Sequence, residues 1–476
     1  MSKNKQILSN TAAVLAGDSV YHFINFLASV LVARSLGKEG YGEFSFIYVY
    51  LSFFEAIVQF GLNSVLTREL SRERADAPRV LGNALILRII LIGCALPVAW
   101  LVIGALGYPL TVKQGVFLAS FQLFLTLRPV FEAVFRARLL MIYPVLWNTV
   151  RALVNLVFIG LIVFYQPALP LFILAYLASG LIGFLGLIFS SRKLMKFNLR
   201  PSKDLMGYLL RESAPLVLSA YLTLLYYRTD VMMLSMMRTF RDVGYYSVAT
   251  RLGESLTMIS GALLVSFFPL FSKTCKTDRA EFNLLTSKAF RWIFLLGFPI
   301  VIGGGIAAKD LILLFFGREY LPSVVTFAIL LGYTFFCFVG SLLANLLIAC
   351  GRQIADMWIS FFLVILNIGL NLFLIPLYNY NGAAVATVIT ETIGVLIYFS
   401  YALKNPAIQI SFPGKELVTA LKVNALYLIV LLVIKKFNLP VLIFVFFGIL
   451  IYAGLLFLFR LLSWTQIRSY FHENTH

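Results

Sequence analysis

Six arginines stand inside long apolar stretches of this chain: Arg88, Arg128, Arg151, Arg228, Arg251 and Arg291. Six carboxylates stand there as well, namely Asp18, Glu55, Glu132, Asp230, Glu254 and Glu391. A charge at mid-bilayer costs about 2.5–3.5 kcal/mol on insertion scales, so the arginines together cost about 15–21 kcal/mol unless they meet water or a partner. A guanidinium in a sheltered site is well matched to phosphate or carboxylate oxygens, which it holds by paired, charge-assisted hydrogen bonds. Anion recognition is therefore the chemistry these residues offer. Glu132 lies one turn from both Arg128 and Arg136, and Glu254 lies three residues beyond Arg251, so these groups can equally neutralise one another and brace the helices. Arg88, Arg151 and Arg291 have no carboxylate nearby on their own helix and are expected to face a polar interior. Asp18, Glu55 and Asp230 are candidates for ion coupling, with Glu254 and Glu391 as further coupling or cavity residues. The three histidines, His22, His472 and His476, assemble no metal cluster, and no phosphate-binding loop for a nucleotide is present.

The elements that carry these groups follow from composition. Of 476 residues, 61% are hydrophobic and 13% charged, which excludes a soluble fold. Marking apolar runs of about 20 residues gives fourteen predicted spans: 11–33, 44–66, 80–107, 115–135, 145–165, 168–190, 213–237, 243–271, 289–308, 324–349, 357–378, 382–403, 417–434 and 439–462. Helical spacing gathers the polar residues into stripes. Asp18, His22, Asn25 and Ser29 share one face of the first span, and Glu55, Gln59 and Asn63 one face of the second. Asn148, Arg151 and Asn155 line the fifth span, and Ser247, Arg251 and Glu254 the eighth. Convergence of the first, second, seventh and eighth spans between two halves predicts a central water-filled cavity, in which Asn25 and Asn148 join the arginines as candidate substrate-binding residues. Pro97, Pro129 and Pro299 fall inside spans, where they kink helices.

Of the 39 Lys and Arg, 24 fall in segments that are cytoplasmic if the N-terminus is inside, and nine in the outer segments. That bias places both termini in the cytoplasm and accounts for the +18 charge without nucleic acid. The first span, with Asp18, His22 and Asn25, is too long and too polar for a signal peptide and is expected to stay in the mature protein. No connector is long enough for a soluble domain, and the longest predicted outer loop, Lys309 to Ser323, has about fifteen residues. Cys94, Cys275, Cys337 and Cys350 form no CxxC pair, and Cys337 and Cys350 lie too far apart along one helix to bond. All four are expected to be free thiols.

The chain repeats itself. Tyr41-Gly42-Glu43-Phe44-Ser45 opens the second span and Val243-Gly244-Tyr245-Tyr246-Ser247 the eighth, and Arg136, Met141 and Asn155 align with Arg352, Met357 and Asn371. Copies six spans apart share an orientation, so the repeat axis is expected along the membrane normal. Arg228, Asp230, Gly244, Tyr246 and Ala249 resemble the R-x-D then G-x-Y-x-x-A pattern of Wzx-type polysaccharide flippases, ARSLGKEGYGEFS is its companion in the first half, and the late NGAAVATVITE is similar to that family as well. The resemblance runs over about residues 5–400 and is partly shared with multidrug extruders and peptidoglycan-precursor flippases of the same superfamily. It implies an all-α integral membrane protein of about fourteen helices: an N-terminal six-helix lobe (1–190), a basic linker (191–212), a second lobe (213–404), then an extra helix pair and cytoplasmic tail (405–476).

By this resemblance the chain is expected to be a transporter in the cytoplasmic membrane and not an enzyme. It would move a polyprenyl-diphosphate-linked oligosaccharide to the outer leaflet by alternating access, without a cofactor, coupled to protons, sodium or membrane potential. Its partners would be that glycan, membrane lipid and enzymes of glycan assembly. An ion-coupled multidrug or metabolite extruder is the alternative within transport, and a membrane glycan polymerase or ligase the alternative outside it.

Overall fold

The computed structural model describes residues 3–72, 76–192, 194, 197–405, 408, 410, 414–459 and 461. Arg74, Lys193, Lys196, Arg460, Arg468, His472 and His476 lie outside them. The described residues form no strand. Their helices are α1 (Lys3–Gln59), α2 (Leu62–Ser71), α3 (Ala77–Ala105), α4 (Leu110–Ala119), α5 (Arg128–Ala137), α6 (Ile142–Tyr165), α7 (Leu169–Ser191), α8 (Lys203–Met237), α9 (Phe240–Thr277), α10 (Arg279–Phe315), α11 (Ser323–Ala349), α12 (Gln353–Lys404), α13 (Gly414–Lys435) and α14 (Val441–Leu458).

Eleven helical segments are long and apolar enough to cross a bilayer. Two of them hold 55 and 52 residues, about 80 Å of straight helix against a hydrocarbon core of about 30 Å. The first breaks at Gly37 (φ 67°) within α1 and again between α1 and α2, and the second at Asn379 (φ 53°) within α12. Each therefore supplies two crossings, and with α8 the described residues hold fourteen.

Two spans break where apolar periodicity alone shows continuity. The second predicted span, 44–66, stops at Gln59, because Phe60 (φ 44°) and Gly61 (φ 64°) turn left-handed before α2 begins. The fourth passes through a 3-10 stretch, Ser120–Leu127, between α4 and α5. Pro129 brings no N–H to the Thr126 carbonyl in that tighter register. The Arg88 side chain donates to that carbonyl instead.

The chain divides into two compact units, Met1–Ser247 and Val248–His476. In the first, α1 packs on α3, α4, α6 and α8, and α6 on α7. A buried cluster of Leu62, Leu66, Leu81, Phe135, Leu187 and Leu209 joins α2, α3, α5, α7 and α8. The connector before α8 is strapped to the start of α3: Asn83 accepts from the Ser202 amide at 2.7 Å and donates to the Arg200 carbonyl at 3.1 Å, and the Asn198 amide donates to the Pro78 carbonyl at 2.9 Å. Ser202 then caps α8 by accepting from the Leu205 amide, with Asp204 in the first turn. Near the same end, Arg68 on α2 pairs with Glu212 on α8 at 2.6 Å, and the buried Glu69 takes Arg72 at 3.2 Å and Tyr208 at 3.1 Å.

In the second unit, α10 packs on α11, α13 and α14, and α11 on α12. Tyr452 on α14 donates to the Leu295 carbonyl on α10 at 2.6 Å. The loop from α10 to α11 is residues 316–322, half the length expected, because α10 continues through Lys309 and Asp310 to Phe315. One expectation is overturned: Cys275 and Cys350 are joined by a disulfide with Cα atoms 5.8 Å apart, while Cys94 and Cys337 remain thiols. Spacing along one helix excludes a Cys337–Cys350 bond, but it says nothing of two helix ends that folding brings together.

Candidate functional site

Four of the charged residues singled out by sequence come together in the first unit. Arg128 opens α5 directly after the 3-10 stretch, and its Nε lies 3.1 Å from Glu132 one turn later. Arg136, another turn on, reaches the same carboxylate at 3.6 Å. Arg151 projects from α6 and donates to the Tyr21 hydroxyl of α1 at 3.1 Å, with its guanidinium carbon 5.7 Å from that ring's centroid. The Arg151 charge acts on Arg128, Glu55 and Tyr48. Tyr176 of α7 lies against Tyr48, ring centroids 5.5 Å apart. Behind these, Ser179 on α7 donates to Asn155 on α6 at 3.4 Å.

Arg128 is 5% exposed, and its Nη2 has no hydrogen-bond partner among the described residues. A buried, unsatisfied charged donor is costly, and an anionic oxygen would satisfy it. Tyr21, Tyr48 and Tyr176 were not singled out by the sequence reading. Tyr21 stands three residues after Asp18 and four before Asn25 on the polar face of α1, so the helical period held the signal.

Other expected cavity residues have different surroundings. Arg88 is fully buried, donating to Asn63 and to the Thr126 carbonyl. It ties α3 to α2 and the 3-10 stretch, and no open face reaches it. Asn63 leaves the Glu55–Gln59 stripe because the helix breaks at Phe60–Gly61. In the second unit Arg291 donates to the Leu461 carbonyl at 2.7 Å, just past the C-terminus of α14, where a cation is favoured by the helix dipole. Arg88 and Arg291 both brace the fold in this arrangement. Arg251 and Glu254 pair at 3.9 Å, both about 40% exposed, a geometry worth little energy.

Asp230 is buried and accepts from the Tyr246 hydroxyl at 2.5 Å, so the R-x-D and G-x-Y patterns are physically joined across the α8–α9 turn. Arg228, Asp18 and Asn148 are half-buried on α8, α1 and α6. Asn25, also half-buried, donates back to the Tyr21 carbonyl at 2.8 Å. Glu391 packs against Gly340 in the second unit. Among the described residues no group of three His, Cys, Asp or Glu side chains could hold a metal ion.

Residues 7–275, more than half the chain, match the model of a family described as polysaccharide biosynthesis protein. The chain belongs to that family. It is a multi-pass membrane protein, and its relatives extend the likeness over nearly its whole length. It is 22% identical over 460 residues, 94% of each chain, to a probable low-salt glycan biosynthesis flippase, Agl15, of Haloferax volcanii. Its fold is similar to that of the lipid II flippase MurJ in an inward closed conformation, with a TM-score of 0.79, 16% identity, and 95% of this chain and 99% of that one covered. It is similar as well to an inward-facing multidrug resistance MATE transporter, with a TM-score of 0.67, 14% identity, and 84% and 96% covered.

Proposed function

We propose that this protein is a flippase that carries a polyprenyl-diphosphate-linked glycan from the cytoplasmic to the outer leaflet by alternating access. In this reading Arg128 and Arg151 hold the diphosphate, Tyr21 aims Arg151, and the polyprenyl tail stays in lipid. The observation that carries the reading is the unpartnered, buried Nη2 of Arg128, with Arg151 near enough for its charge to act on it. Two such groups can take one diphosphate by charge-assisted hydrogen bonds. Glu132 and Glu55 limit the mutual repulsion of the cations when no substrate is bound, and Glu55 is the carboxylate we assign to ion coupling. Family membership and the glycan flippase relative agree with a flippase of lipid-linked glycans. The short loops leave little room for the outer catalytic segment that a glycan polymerase or ligase carries.

Binding of polyprenyl diphosphate to the purified protein, followed by native mass spectrometry with polyprenol as control, tests the site. Arg128→Ala and Arg151→Ala should each weaken binding about tenfold or more, since a hydrogen bond to a charged group contributes about 1.5–3 kcal/mol. Lysine at either position should restore part of the loss. Unchanged binding in the double variant would overturn the assignment. Preferential binding of a cationic dye would favour the extruder reading that the MATE-like fold also accommodates.

A further inference from the structure

The repeat of Gly42 and Gly244 is matched by a reciprocal contact. A Cβ on Gly42 would collide with the Phe240 carbonyl, 2.8 Å from its carbon, and lie 3.0 Å from the Gly244 nitrogen. A Cβ on Gly244 would collide with the Lys38 carbonyl, 2.9 Å from its carbon, and lie 3.4 Å from the Gly42 nitrogen. Lys38 and Phe240 are themselves separated by the repeat offset, so the turn within α1 and the α8–α9 turn meet through a local two-fold. Only glycine permits this approach of backbone to backbone. Beside it, Phe46, Tyr108 and Phe240 form an aromatic cluster with centroid separations of 4.6, 5.6 and 5.9 Å. Tyr108 also hydrogen-bonds Ser235, near the end of α8, at 2.9 Å.

We infer that the Gly42–Gly244 contact, with the aromatic cluster beside it, is a reversible seal at the outer end of the passage flanked by α1 and α8. This rests on the flippase reading above and on the outer assignment of both turns by the distribution of basic residues. The chemistry of the contact suits repeated opening. It is made of close-packed backbone and apolar rings, whose van der Waals and Cα–H contacts are individually weak. A side chain at either glycine should therefore disfavour the closed state.

The test introduces Ser235→Cys, whose native serine is 8% exposed, and measures labelling by a membrane-impermeant maleimide from each side, with the parent chain as blank. Gly42→Val and Gly244→Val should each speed labelling from outside about tenfold or more, since they shift the population to the open state. Gly107→Ala, with nothing within 4 Å of its added Cβ, should not. Unchanged labelling in both valine variants, recovered as monodisperse protein, would overturn the seal, as would acceleration from the cytoplasmic side alone. If the valine variants do not fold, a second design keeps both glycines. Tyr108→Cys with Ser235→Cys, bridged by a short bifunctional thiol reagent, should stop lipid translocation until the bridge is cleaved, and undiminished translocation by the bridged protein would overturn the seal. Accelerated labelling in a protein that moves no glycan lipid would uphold the seal and count against the flippase reading instead.

Discussion

Replacing Arg88 separates bracing from binding. The side chain is fully buried and donates one guanidinium nitrogen to the Thr126 carbonyl and another to Asn63. Arg88→Ala leaves the buried Thr126 carbonyl unsatisfied at about 1–3 kcal/mol, releases the half-buried Asn63, and adds a cavity that costs more. Arg88→Gln, able to reach one acceptor, should recover part of this loss. Arg151→Ala gives up one hydrogen bond and one cation–π contact from a half-buried side chain, about 1–2 kcal/mol. Thermal unfolding of the detergent-solubilised protein, read by loss of the monodisperse chromatographic peak, should rank Arg88→Ala as far less stable than Arg151→Ala. An Arg88→Ala protein as stable as the parent, yet unable to export glycan, would refute the bracing role and return Arg88 to the substrate site.

Intact-mass analysis after alkylation should find two reactive thiols before reduction and four after. Cys275→Ser should lower stability by up to about 4 kcal/mol, because the bond closes a loop spanning 75 residues. Asn83→Ala removes the bonds that hold the strap to α3, and limited proteolysis should then cut between residues 192 and 203 faster than in the parent. Arg291→Ala should free the chain after α14, measured as faster amide exchange at Leu461, while binding of polyprenyl diphosphate is retained. Tyr21→Phe should weaken that binding less than Arg151→Ala does, since the ring still faces the guanidinium when its hydroxyl is gone.

The number of crossings was legible because each apolar run had to span a fixed thickness, and so was the pairing of Arg128 with Glu132, which follows from one turn of one helix. Contacts between helices were not. Arg88 lacks a carboxylate on its own helix, which pointed to a cavity, but its partners are an amide on α2 and a carbonyl released by Pro129 in the 3-10 stretch. The Cys275–Cys350 bond and the hold of Arg291 on Leu461 likewise join segments far apart in sequence. The repeated glycines were visible as a pattern, while their reason, a backbone contact through a local two-fold, needed the fold. Asp230 shows the same limit: its place in the R-x-D pattern was plain, but its bond to Tyr246 makes it a tie between α8 and α9.

Flippase activity itself can be measured by reconstituting the purified protein into liposomes with a fluorescent polyprenyl-diphosphate-linked sugar and following the fraction that becomes accessible to a membrane-impermeant quencher. Translocation should exceed that of empty liposomes, be competed by unlabelled lipid-linked glycan and be abolished in the Arg128→Ala, Arg151→Ala double variant. No translocation, with uptake of a soluble cationic dye under a proton or sodium gradient, would contradict the flippase reading.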